Sequence, residues 1–212
     1  MHVDHLTFAA GPSGLKAEAE RLGGLLGAKF RNGGSHPRFG TRNRILALAD
    51  DRYIEVIEVL EHPAAEKAPF GQAVRARSAL GGGWMGWAVS VDDLGPFEQR
   101  LARAAVPASR VFPDGRTLEW HQIGVKGLLS DPQLPFFTHW DSDESLRPGA
   151  LGGSIKLVGI ELVGSRERVE EWVGAEIGAV FDGVRLEFTS QHGQPGIAAA
   201  IFESDTLGTI RI

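Results

Sequence analysis

The chain has no cysteine among its 212 residues. That excludes disulfides, thiolate metal sites and cysteine nucleophiles together. Any metal must then be held by His, Asp or Glu, a donor set suited to Zn, Fe, Mn, Ni or Mg. No apolar run has the length to span a bilayer, so no membrane partner is expected. Positive charge is in deficit. The net charge of −5 argues against nucleic acid, which requires a basic face. There is no GxSxG elbow, no GxxxxGK[ST] loop, no HExxH and no GxGxxG leading into a helix. Gly81-Gly82-Gly83 precedes a strand pattern, so it does not cradle phosphate at a helix start. The N-terminus enters a strand pattern at once, without a basic and then apolar leader; a cytoplasmic chain without a signal peptide is expected.

What remains is a chain of ordinary globular composition, 42% hydrophobic and 23% charged. Val3 to Ala9 reads as a strand. Gly11-Pro12-Ser13-Gly14 is a turn, and Leu15, Ala19, Leu22 and Leu26 then fall at helical spacing, with Gly27 as the stop. Gly33-Gly34 leads into strands near Arg38 to Leu48, and Arg52 to Leu60 is the next strand. The connector that follows is rich in Pro, Ala and charge, with a short helix over Ala68 to Ala79. After the three glycines the pattern restarts. Trp84 to Val91 is a strand, Asp92-Asp93 a helix cap, and Leu94, Phe97 and Leu101 a helical face stopping before Pro107. Arg110 to Phe112, Leu118 to Ile123 and Pro135 to Trp140 are strands, with a hairpin turn at Asp114-Gly115. A third, shorter run follows: strand Lys156 to Val163, helix Arg166 to Val173, and strands near Val184 to Thr189 and Gly196 to Phe202. The expected units are residues 1–62, a connector 63–83, residues 84–146 and a C-terminal partial βαββ unit, 147–212. The last either covers the main sheet, extends it or mediates a homodimer.

Two polar residues sit inside otherwise apolar strands: His5 in Val3-Asp4-His5-Leu6-Thr7-Phe8, and Glu55 in Arg52-Tyr53-Ile54-Glu55-Val56-Ile57. Burying either without a partner is costly. The order of these strings and of Gly40-Thr41-Arg42-Asn43-Arg44-Ile45-Leu46, Gly86-Trp87-Ala88-Val89-Ser90-Val91 and Leu134-Pro135-Phe136-Phe137-Thr138-His139-Trp140, within a tandem βαβββ repeat, resembles the vicinal oxygen chelate superfamily. Its glyoxalase-like subgroup is the nearer match. The resemblance covers about the first two thirds of the chain. It implies an α+β fold in which tandem βαβββ modules form curved mixed sheets around a cleft. It further implies a divalent metal (Zn, Fe, Mn or Ni) held by His5, Glu55 and His139, and no organic cofactor. Gly86 stands where a fourth ligand is usual.

Strand alternation puts His5 with Val3 and Thr7, Glu55 with Tyr53 and Ile57, and His139 with Phe137 and Asp141. All three can thereby face the cleft. Asn43, Trp84, Gly86, His121 and Phe137 are the candidates for touching substrate. Arg42 or Arg44 could pair a substrate carboxylate, and Trp84 beside Gly86 suggests room for a bulky apolar ligand. His36, His62 and His192 read as solvent-facing loop residues and His2 as terminal. The resemblance implies a metal-dependent isomerase, lyase or dioxygenase acting on a small molecule with adjacent oxygens. A metal-free binding or sequestering protein of the same fold is the alternative, and an interaction module is a third reading.

Overall fold

A computed structural model describes residues 1–112, 114–178, 180–190 and 193–212, with the side chains of Val180 and Ser190 left outside the description. His192 lies outside the described residues. In chain order the first half holds β1 (His2–Ala9), α1 (Gly14–Leu26), β2 (Arg31–His36), β3 (Thr41–Ala47) and β4 (Tyr53–Val59). Helices α2 (Pro63–Lys67) and α3 (Pro69–Ala79) form the connector. The second half repeats the order with β5 (Gly83–Ser90), α4 (Gly95–Leu101), β6 (Val106–Val111), β7 (Thr117–Ile123), α5 (Gly127–Ser130) and β8 (Phe136–Trp140). The remainder comprises β9 (Lys156–Val163), α6 (Arg166–Val173), β10 (Val180–Phe181), β11 (Val184–Ser190), β12 (Gly196–Ser204) and β13 (Gly208–Arg211).

The α+β fold with curved mixed sheets is as expected, and its two repeats close into one barrel ordered β1-β4-β3-β2-β6-β7-β8-β5. In each repeat the first strand pairs in parallel with the last, β1 with β4 and β5 with β8. The repeats join along β1 and β5, antiparallel from His2↔Ser90 to Ala9↔Gly83. On the other side they meet at Ser35↔Val111. Helix α1 forms because Leu15, Ala19, Leu22 and Leu26 make one buried stripe. It ends at Gly27, whose φ of 67° is the left-handed cap that glycine adopts without strain.

Two expected boundaries move. The hairpin after the first helix begins at Arg31, and Arg38 lies in its turn, where the amides of Phe39 and Gly40 both bond the His36 carbonyl. The segment Asn32-Gly33-Gly34-Ser35 has little β-propensity, so pairing with β3 rather than local preference makes it a strand. Helix α4 stops at Leu101, ahead of Pro107 as expected, but β6 begins at Val106 rather than Arg110, so Pro107 sits within it opposite His121.

The C-terminal strands form a separate sheet ordered β10-β11-β9-β12-β13, in which β13 and the short β10 were not foreseen. This sheet covers the outer face of the barrel. Trp84 lies between Phe8 and Phe202, and Trp87, fully buried, meets Phe181 edge-on. Each such ring contributes about 2 kcal/mol of burial. Arg52 fastens the two parts: it donates to the Val3 carbonyl and to the Asp182 carboxylate at 2.8 Å. Among the described residues, no helix is long and apolar enough to cross a membrane.

Candidate active site

The barrel interior is polar where β1, β3 and β4 face β6, β7 and β8. His5, His36, Asn43, Tyr53, Glu55, Arg110, Trp120, Gln122, Phe136, Thr138 and Trp140 line a narrow cavity of about 30 Å³, with Phe39, Phe70, Leu118 and Pro148 completing its wall. That volume holds a water-sized species.

A β-bulge decides what His5 does. The pairing of β1 with β5 shifts between Val3 and His5, so Asp4 is the extra residue. Alternation alone would send Asp4 to the opposite face from His5. The bulge instead turns both inward and leaves Val3 in the outer core. Asp4 Oδ1 lies 2.6 Å from His5 Nδ1, and Asp4 Oδ2 accepts the Trp140 indole N–H at 2.8 Å. Tyr53 stacks on the His5 ring at 4.4 Å, and Phe136 meets it edge-on. The ring is thus held in place with Nδ1–H toward the Asp4 carboxylate, and Nε2 has no hydrogen-bond partner among the described residues.

Glu55 lies opposite. Thr7 donates to its Oε1 at 3.0 Å and Asn43 donates to its Oε2 at 2.8 Å. His5 Nε2 stands 3.8 Å from Oε1, too far for a direct hydrogen bond. The Asn43 position depends on Gly33. A Cβ there would lie 2.0 Å from Asn43 Oδ1 and 2.8 Å from the Ile45 side chain.

The protonation states are separated by burial. Burial pushes the His36 imidazole down to about 4; Glu55 opposes this, while Arg110 and His5 reinforce it. His36 is therefore neutral near pH 7 and bonds Thr41 Oγ1 at 2.9 Å. Burial, with Asp4 and Glu55 nearby, raises the Tyr53 phenol well above its usual range and keeps it protonated. Burial lowers the Arg110 guanidinium, with Tyr53 and Glu55 opposing.

His36 gives a stability prediction with a definite sign. In the unfolded chain it takes up a proton as pH falls below about 6.5, whereas the folded chain resists until about pH 4. Stability is therefore full above pH 6.5 and declines through that window, by about 3 kcal/mol at most. Thermal melts of His36→Asn should show a flatter slope between pH 6.5 and 4 than the parent; parallel slopes would contradict the assignment.

Of the residues expected at the site, His5, Glu55 and Asn43 are brought together. His139 is not. Phe136, Thr138 and Trp140 are the inward set on β8, and alternation turns Phe137 and His139 outward. His139 Nδ1 lies 3.1 Å from the Val91 carbonyl, and Phe137 packs on Phe97 and Trp172. His121, paired with His139, also faces out and meets Asp141 at 2.8 Å. Trp84 and Gly86 do not share a face, because a second bulge falls between them at Met85. Trp84 points to the C-terminal sheet. The space beside Gly86 is filled by Leu128, 2.3 Å from where a Cβ would sit, so the glycine leaves no room for a bulky ligand. Arg42 binds Glu58 at the surface. His62 caps α2, and His2 pairs with Asp182.

Sequence reasoning missed Asp4, His36 and Arg110. Asp4 beside His5 was visible as an acid–imidazole neighbour pair, but only a bulge makes such neighbours converge.

The divalent metal implied by the resemblance can be tested on these donors. His5 and Glu55 are the two expected ligands that meet, both Glu55 oxygens are engaged, and the Arg110 cation borders the same cavity. Among the described residues no group of three or more His, Asp or Glu is placed to hold a metal ion. The donor set does not fit a three-ligand centre.

A family model described as a glyoxalase-like domain matches residues 3–177. Among solved structures, a hypothetical protein from Staphylococcus aureus is 13% identical and superposes with a TM-score of 0.72 over 99% of this chain and 98% of that chain. At that identity the likeness speaks for the fold, and it includes the C-terminal sheet. Streptomyces coelicolor methylmalonyl-CoA epimerase, solved with 2-nitronate-propionyl-CoA, is 13% identical over 66% of this chain and 96% of that one, with a TM-score of 0.44. No curated protein matches the chain.

Proposed function

Because the chain belongs to the glyoxalase-like domain family, we propose that it is an enzyme of the isomerase or lyase type. It moves a proton at a carbon next to a carbonyl in a small organic molecule with adjacent oxygens. The observation that carries this is the Asp4–His5–Glu55 arrangement. Asp4 holds His5 Nδ1–H, so Nε2 is the accepting nitrogen, and it has no hydrogen-bond partner among the described residues. A substrate carbon seated to one side of the Nε2–Glu55 pair, in contact with both, would lie within reach of each. His5 takes the proton as the carbon becomes enolate-like. Neutral His36, in the tautomer whose Nδ1 accepts from Thr41, can donate from Nε2 to the oxygen on which charge gathers, in a cavity small enough to exclude bulk water. The reaction as drawn uses no metal, since the residues that meet supply two of the three ligands that the resemblance implied.

The engagement of both Glu55 oxygens favours a second reading, in which the same cavity only binds its ligand. Proton exchange in D₂O separates the two. The parent should wash deuterium into the α-carbon of a small dicarbonyl or 2-oxo compound, followed by NMR. His5→Ala and Glu55→Gln should each slow it by about 10²-fold or more. Binding without exchange would establish the second reading. Exchange lost to a chelator and restored by a divalent ion would establish the metal-dependent one.

A further inference from the structure

We propose that the barrel's ligand is an organic acid whose carboxylate pairs with Arg110 and whose apolar body extends past Phe39 and Phe70 into an adjoining chamber. This rests on the reading above that the barrel interior is the working site.

Arg110 is 3% exposed and lines the cavity. Among the described residues it makes no hydrogen bond and no ion pair, and its Nε is buried without a partner. Its guanidinium lies 4.6 Å from the Phe112 ring, which cannot replace a counter-ion. Arg52 shows the contrast. It is equally buried at 4%, yet it bonds the Val3 carbonyl and the carboxylates of Asp50 and Asp182. A buried cation left unpaired carries an uncompensated desolvation cost, so such a group implies a charge that arrives from outside. Glu55 acts on Arg110 only at a distance: it favours the guanidinium charge, but among the described residues it forms no ion pair with it, and its oxygens are turned to Thr7 and Asn43.

The visitor's chemistry follows from the fork and the space. A planar guanidinium matches a carboxylate with two parallel bonds. The cavity holds one free cation among the described residues and no lysine, which suits a single negative charge better than a phosphate. Its volume of about 30 Å³ admits only the head of such a molecule. Beside it lies a chamber of about 190 Å³ whose apolar wall is Pro69, Val106, Ile123 and Val125, with Arg103 and Lys126 also lining it, and which shares Phe39, Phe70 and Gln122 with the cavity. The Phe39 and Phe70 rings, 5.4 Å apart, form the partition. An acid with an apolar substituent would fill both spaces, its carboxylate on Arg110 and its adjacent oxygen near His5.

Calorimetric titration with pyruvate, phenylpyruvate and methyl phenylpyruvate tests this. Phenylpyruvate should bind about tenfold tighter than the shorter acid and than the neutral ester. Arg110→Met should remove the preference for acid over ester while raising the melting temperature, since an apolar side chain replaces a lone buried charge. Arg110→Lys should keep a weaker preference, and Val125→Trp, which fills the chamber, should erase the advantage of phenylpyruvate over pyruvate. Equal binding of acid and ester by the parent would overturn the inference. So would a preference that survives in Arg110→Met, or an absence of saturable binding for both acids. The α-proton exchange reads the other proposal separately. Acids that bind without exchanging would sink the reaction and leave this inference standing; neutral dicarbonyls that exchange while no acid is preferred would do the reverse.

Discussion

Asp4→Asn is expected to slow α-proton exchange by about 10²- to 10⁴-fold while leaving the fold intact. The reason is the direction of one hydrogen bond. The Trp140 indole N–H donates to Asp4 Oδ2, and His5 Nδ1 faces Oδ1. An asparagine in the same place keeps its oxygen toward Trp140, which can only donate. Its amide nitrogen then points at His5 Nδ1 and donates to it. The imidazole proton moves to Nε2, and the nitrogen facing Glu55 becomes a donor where an acceptor is needed. The shape is conserved, so the melting temperature should change little. ¹⁵N NMR of the imidazole would report the tautomer directly. An Asp4→Asn variant with parental exchange would show that His5 is not the base.

Gly33→Ala is expected to destabilise the protein by about 1–3 kcal/mol and to remove most exchange activity. The glycine has no need of an unusual backbone angle; the constraint is space. Its Cβ would sit 2.0 Å from Asn43 Oδ1 and 2.8 Å from Ile45. Asn43 must then move, and Glu55 Oε2 loses the donor that orients it. The double variant Gly33→Ala/Asn43→Ser removes the clash with Asn43 and leaves only the Ile45 side chain to shift. It should recover much of the stability, read by denaturant midpoint, without recovering exchange. If the double variant regains both, Asn43 has no part in positioning Glu55. If Gly33→Ala is as stable as the parent, the close approach of the two strands is not as drawn.

Most of the architecture is legible in the sequence. Helix α1 declares itself through its apolar spacing and its glycine cap, and β1 and β4 through a polar residue in an apolar run. The repeat of element order led to the family. Strand β2 was misplaced because its residues carry no strand preference of their own. The short β10 and β13 were missed for a related reason: an edge strand depends on its neighbour for pairing. The error with His139 was of another kind. Alternation correctly divided β8 into two faces but could not say which face the barrel encloses. Phe136 and Phe137 are equally apolar neighbours, and one lines the cavity while the other packs on α4.

The same limit explains Arg110 and His36. His36 reads as a solvent-facing loop residue and Arg110 as the start of a strand, and closure of the barrel buries both. Local chemistry by itself determined most of the elements and their order, the absence of thiol chemistry, and the placing of His5 and Glu55 within apolar strands. Only the tertiary structure decided which side chains share an interior. Two bulges, a strand seam and barrel closure shift faces by single residues, and with a side-chain period of two, one residue is enough to turn a ligand outward and a buried cation in.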